Sequence, residues 1–153
     1  MGAGVKGTKM RRMTVLAVAL VALVALVPAA WAGLVSKTYE FRSDVFLEIG
    51  AVTDDGLRLD SVRFQMPSAT AVRTAAEAMA TVSITNTSDS AKRVGMGIAL
   101  FDDGGKMVGV VAGGTKLMPL KSGSQKTYKL IFEHVYVEAP RATTFQISVE
   151  SKP

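Results

Sequence analysis

Apolar and polar residues take turns along most of this chain after its first third. Val45, Leu47 and Ile49 alternate with Phe46 and Glu48, and Leu57 and Leu59 alternate with Arg58 and Asp60. A period of two places successive side chains on opposite faces of an extended backbone, so these runs predict half-buried strands. The phase slips by one residue at Ser61 and then resumes through Val62, Phe64 and Met66. One skipped residue inside a strand is what a β-bulge produces.

The same rhythm continues toward the C-terminus. Ala80, Val82 and Ile84 alternate with Thr81, Ser83 and Thr85, and the run closes at Asn86-Thr87-Ser88-Asp89. Val94, Met96, Ile98 and Leu100 form the next apolar face, with Gly95 and Gly97 on the opposite one. Lys106 to Ala112 follows, then Lys126 to Phe132 with Tyr128, Leu130 and Phe132 in phase, and finally Phe145, Ile147 and Val149. Turn chemistry separates the runs: Asp54-Asp55-Gly56, Asp102-Asp103-Gly104-Gly105 and Pro119-Leu120-Lys121-Ser122-Gly123. About seven strands with turns between them predict an all-β, immunoglobulin-like antiparallel β-sandwich.

Ser68 to Met79 departs from this rhythm. It is rich in Ala, and Val72, Ala75, Ala76 and Met79 fall at helical spacing, with Ser68 or Thr70 available as a cap. A short crossing helix and an extended Ala-rich strand both fit.

The first fifth of the chain has a different composition. Lys6, Lys9, Arg11 and Arg12 precede an unbroken Val/Leu/Ala run from Val15 to Val27, followed by Pro28 and Ala30-Trp31-Ala32. A cationic start, a short apolar helix and small residues before a cleavage point make residues 1–32 a secretory signal peptide. Residues 33–43 are then expected to be a flexible mature N-terminus, and residues 44–153 the β-sandwich domain. The alternative is a retained N-terminal membrane anchor, since Val15 to Val35 is long enough to cross a bilayer. Pro28 and the Ala30-x-Ala32 pair favour cleavage. Both versions place the domain outside the cytoplasm, periplasmic or secreted, because the positive end stays inside.

Charge changes meaning once the leader is set apart. The whole chain has 18 basic and 13 acidic residues. Four of the bases and none of the acids precede Ala32, which leaves 14 − 13 = +1 for the remainder. No basic footprint for nucleic acid or anionic lipid is expected in the net charge of the remainder. The absence of cysteine removes disulfides, thiolate metal sites and thiol nucleophiles, and a single histidine removes multi-histidine metal centres.

Residues Ala80 to Val149 resemble the FxLYD domain family of bacterial extracytoplasmic proteins. The likeness rests on Ile98-Ala99-Leu100-Phe101-Asp102, on Asn86-Thr87-Ser88-Asp89 upstream, and on Gly105-Lys106-Met107-Val108 and Leu117 to Tyr128 downstream. Ile98 and Phe101 stand where that family has Phe and Tyr. The resemblance implies an immunoglobulin-like fold and an exported setting, and it carries no catalytic residues.

Several residues invite a chemical reading. The two Asp-Asp-Gly turns offer oxygens, but a calcium loop needs six to eight in a fixed register, which neither supplies. His134 beside Glu133 is the one imidazole base, and no Gly-x-Ser-x-Gly elbow surrounds any serine. Gly104-Gly105 and Gly113-Gly114 flank a strand rather than opening a phosphate-binding helix. Asn86-Thr87-Ser88 is a glycosylation sequon, relevant only in a host that modifies exported chains.

These readings converge on an exported, non-catalytic β-sandwich with a binding or structural role at the cell envelope. No catalytic, cofactor-binding or metal-ligating residue is assigned and no cofactor is expected. The expected partner is an envelope component, protein or otherwise, with membrane contact only if the N-terminal helix is retained. The candidate surfaces are the Gly113 to Ser124 loop and an edge strand. The alternative is a small extracytoplasmic hydrolase using paired carboxylates, which would require two acids in a deep cleft.

Overall fold

In strand β4 (Ala78–Asn86) every second residue is buried, and the residues between them stay partly exposed. Strand β5 (Arg93–Phe101) repeats the pattern through Val94, Met96, Ile98 and Leu100, and β8 (Thr144–Lys152) through Phe145, Ile147, Val149 and Ser151. The computed structural model describes residues 34–67, 77–133 and 138–152. The expected signal peptide, residues 1–32, and His134 lie outside them. The remaining strands are β1 (Leu34–Glu40), β2 (Phe46–Val52), β3 (Leu57–Gln65), β6 (Met107–Gly114) and β7 (Gln125–Phe132). A 3-10 turn, Ala139–Arg141, precedes β8.

The eight strands form two four-stranded antiparallel sheets, ordered β1-β8-β5-β6 and β2-β3-β4-β7. Their inward faces share one core. Phe64 of β3 and Phe145 of β8 meet edge to face across the gap, with ring centroids 4.8 Å apart. Val82, Ile98, Leu130 and Ile147, two from each sheet, are at most 5% exposed and belong to the same cluster. Burying side chains of this size contributes about 1.5–3 kcal/mol each, and this filling is the main stabilising term. Among the described residues the buried apolar set runs from Ala51 to Val149, so residues 33–153 contain their own core.

The slip at Ser61 is a bulge. Leu59 pairs with Ile84 and Ser61 with Ser83, leaving Asp60 as the extra residue. Inward phase is thereby restored at Val62 and Phe64, which are fully buried.

Three expectations need correction or narrowing. Among the described residues there are eight strands rather than about seven, because Leu34–Glu40, expected within a flexible stretch 33–43, pairs along its length with β8 from Leu34↔Glu150 to Glu40↔Thr144. Its inward positions are Val35, Lys37 and Tyr39, in line with Val149, Ile147 and Phe145. An edge strand is covered on one side only, so it tolerates an exposed lysine at an inward position, and such a charge disfavours edge-to-edge pairing. Within Ser68–Met79, Ala78 and Met79 are extended in β4, and residues 68–76 lie outside the described set. The run from Val45 starts one residue later, at Phe46. Phe46 is 58% exposed, and its ring carries the Arg63 guanidinium 5.2 Å from its centroid across the β2–β3 pair.

The two sides of the sandwich differ. On one, β6 lies beside β7. A Cβ on Gly113 would fall 2.3 Å from Leu130 Cδ2, so a side chain there would force the buried Leu130 to shift. On the other, the inward residues of β1 and β2 other than Ala51 are at best half-buried.

Candidate functional site

The Gly113–Ser124 region is fixed at its base by a dense set of hydrogen bonds. As the chain leaves β6, the Thr115 N–H donates to the Val94 carbonyl at 2.8 Å, and the Val94 N–H donates to Thr115 Oγ1 at 3.0 Å. Lys92 and Leu120 exchange both backbone hydrogen bonds, at 2.9 and 2.8 Å. The Gly123 N–H donates to the Asn86 carbonyl at 2.8 Å, the Asn86 N–H to the Ser124 carbonyl at 2.9 Å, and Ser122 Oγ to the Ser88 carbonyl at 2.6 Å.

Asn86 is the centre of this base. It is fully buried, and its Nδ2 donates to the carbonyls of Ser90 (2.8 Å) and Leu120 (2.9 Å). Its Oδ1 accepts from the Ser88 N–H at 3.0 Å and from Ser88 Oγ at 2.7 Å. An amide in the interior needs each of these partners, and here all are supplied. Burial with both amide hydrogens committed also closes Asn86 to glycosylation in the folded protein.

Between those anchors the chain turns outward. Leu120 is 4% exposed and packs in the core, whereas Leu117 is 87% and Met118 68% exposed. A flexible loop would let such side chains fold back. This one is anchored on both sides and holds them in solvent.

The other candidate residues serve turns. In Asp54-Asp55-Gly56, Thr53 Oγ1 donates to Asp55 Oδ1 and accepts from the Leu57 N–H, and Lys92 lies 3.6 Å from Asp55. Gly56 adopts φ +90 against Ser88, a position that admits no side chain. In Asp102-Asp103-Gly104-Gly105, Asp102 Oδ1 accepts from the N–H groups of Gly104 (3.0 Å) and Lys106 (2.9 Å). The two acidic turns sit at opposite ends of the sandwich. Among the described residues no three His, Cys, Asp or Glu gather as a metal site would require.

Asp60, on its bulge, accepts from Thr85 Oγ1 (2.6 Å), Gln125 Nε2 (3.1 Å) and Arg58 Nε (2.6 Å). Partial burial pushes its carboxyl upward, but hydrogen bonds from Thr85, Gln125 and Arg58, with the Arg58 charge, outweigh it and hold the pKa below the ordinary value. That direction is opposite to the one a general acid at neutral pH requires.

Surface hollows on both sheets carry carboxylates. One of about 350 Å³ beside β2 includes Glu40 and Glu48, and Glu40 is paired with Arg42 at 2.9 Å. Another, of about 320 Å³, lies over Gly95 and Gly97 next to Glu150 on the outer face of β5 and β8.

No protein-family model matches the chain, and no curated protein matches it.

The structural role of Asn86 was partly visible in the sequence as a polar residue ending an apolar alternation. The outward pair Leu117-Met118 followed by an inward Leu120 left no periodic signal, because a three-residue reversal around Pro119 has no period.

Proposed function

We propose that residues 1–32 export this chain, that cleavage follows Ala32, and that the mature protein is a non-catalytic immunoglobulin-like β-sandwich acting at the cell envelope. It works by contact rather than by turnover, and the Gly113–Ser124 loop is its contact surface. The observation that carries this reading is the pair Leu117 and Met118, held 87% and 68% exposed on a loop whose base is tied to both sheets. Exposed apolar side chains on a fixed support are characteristic of binding loops, since little conformational freedom is lost on contact. The FxLYD-like stretch Ile98–Asp102 in β5, the leader's composition and the near-neutral remainder of the chain support the same setting.

The test has two parts. Mass measurement of the exported protein should give Gly33 as its first residue; a retained Met1, Met10 or Met13 start would overturn cleavage. Replacing residues 115–119 with a Gly/Ser turn should release the protein from envelope fractions while preserving its β circular dichroism. Unchanged fractionation would remove the loop from the account.

A further inference from the structure

The strand register fixes which loops share an end of the molecule. Leu34 pairs with Glu150, Glu150 with Gly95, and Gly95 with Gly114, so one row of residues crosses the whole β1-β8-β5-β6 sheet. The chain therefore enters the sandwich at the same end from which the Thr115–Leu120 loop projects. In sequence, that entry point follows a segment containing the apolar Val15–Val27 run. Whether or not the leader is later removed, translocation delivers this end of the domain beside the membrane.

Cations flank the loop. From Gly104 to Phe132 the sequence contains Lys106, Lys116, Lys121, Lys126 and Lys129 and no acidic residue. Lys116 directly precedes the exposed pair, and Lys121 follows the buried Leu120. At the opposite end, the β5–β6 turn has Asp102 and Asp103, and the approach to β8 has Glu133 and Glu138. The loop thus presents two flexible apolar side chains flanked by cations at the end where the chain enters, an end that also carries Asp54, Asp55 and Asp89 near the base of the loop.

We propose that the Thr115–Leu120 loop seats this end of the sandwich on an anionic phospholipid bilayer. Leu117 and Met118 enter the boundary between headgroups and acyl chains, and Lys116 and Lys121 meet lipid phosphates. Short apolar tips rimmed by lysine bind such surfaces by adding apolar burial to attraction by the surface potential. The contact is shallow and reversible. It orients the domain with the Asp102 turn outward and leaves both outer sheet faces free. The inference deepens the loop reading above, and depends on it, by naming a lipid surface as the partner.

The experiment is co-sedimentation of residues 33–153 with vesicles of phosphatidylglycerol and phosphatidylcholine, against phosphatidylcholine alone. Binding to the anionic vesicles is expected, weakened by added salt. Leu117→Asp with Met118→Asp should reduce partitioning by about tenfold or more, and Lys116→Glu with Lys121→Glu should abolish the preference for anionic lipid. Val110→Asp, on the exposed outer face of β6, should bind as the parent does. All these positions are on the surface, so circular dichroism and melting should match the parent. Absence of vesicle binding, or binding indifferent to both double variants, overturns the proposal. If the Leu117/Met118 variant loses envelope association in cells while the parent ignores vesicles, the loop reading stands and the lipid surface falls. A dimer of the parent that the same variant dissolves, without vesicle binding, also overturns it and makes a second copy the partner.

Discussion

Asn86 Nδ2 lies 2.9 Å from the Leu120 carbonyl, and this hydrogen bond joins the end of β4 to the one inward residue of the exposed loop. One amide thus couples the β2-β3-β4-β7 sheet to the segment that leaves β6, while a second bond to Ser90 orders the turn that leads into β5. Asn86→Ala should remove one of the two hydrogen bonds that the Leu120 and Ser90 carbonyls each accept and leave the Ser88 N–H without its partner, costing about 1–3 kcal/mol. Urea unfolding should show this as a lower midpoint at unchanged slope. Asn86→Asp keeps the acceptor and loses both donors, so it should be destabilised too; a parent-like midpoint for Asn86→Ala would refute the coupling.

Gly113 and Gly97 make a paired test of how closely β6 approaches β7. A methyl on Gly113 would lie 2.3 Å from Leu130 Cδ2, whereas one on Gly97 would have its nearest neighbour, the Val111 carbonyl oxygen, at 3.9 Å. Gly113→Ala should therefore destabilise by about 1–3 kcal/mol through overpacking. Gly97→Ala should stay within about 0.5 kcal/mol of the parent. Thermal melts of the two variants side by side decide it, and equal shifts would contradict the geometry.

Asp60 gives the fold an acid-sensitive component. Its folded pKa lies below the ordinary aspartate value, so its hydrogen bonds to Thr85, Gln125 and Arg58 contribute fully above that ordinary value. As pH falls from there through the folded pKa, the unfolded chain takes up the proton first and this contribution disappears. The parent should lose stability faster than Asp60→Asn over this acid range, while being the more stable of the two near neutral pH. Urea midpoints measured across the range check the sign; parallel curves would show that the carboxylate contributes nothing.

Alternation was the most readable feature of the chain, because a strand buried on one face must place an apolar side chain at every second residue. Val82, Ile98, Leu130 and Ile147 could be placed in one interior on that ground, and even the bulge at Asp60 showed as a single missed beat. Strand β1 was not legible for the corresponding reason. At the open edge its middle inward position needs no burial, and Lys37 occupies it. The loop was legible only as a loop. Whether Leu117, Met118 or Leu120 turns inward depends on where Asn86 and Lys92 hold the backbone, and those contacts span about thirty residues of sequence.

The central claim is that a filled sandwich holds this loop still while its tip stays in solvent. Native-state amide hydrogen exchange of residues 33–153 tests it most directly. The N–H groups of Thr115, Leu120 and Gly123, which donate to Val94, Lys92 and Asn86, should exchange slowly, and those of Leu117 and Met118 rapidly. Uniformly fast exchange from Gly113 to Ser124 would mean that the loop is not held, and would contradict the account.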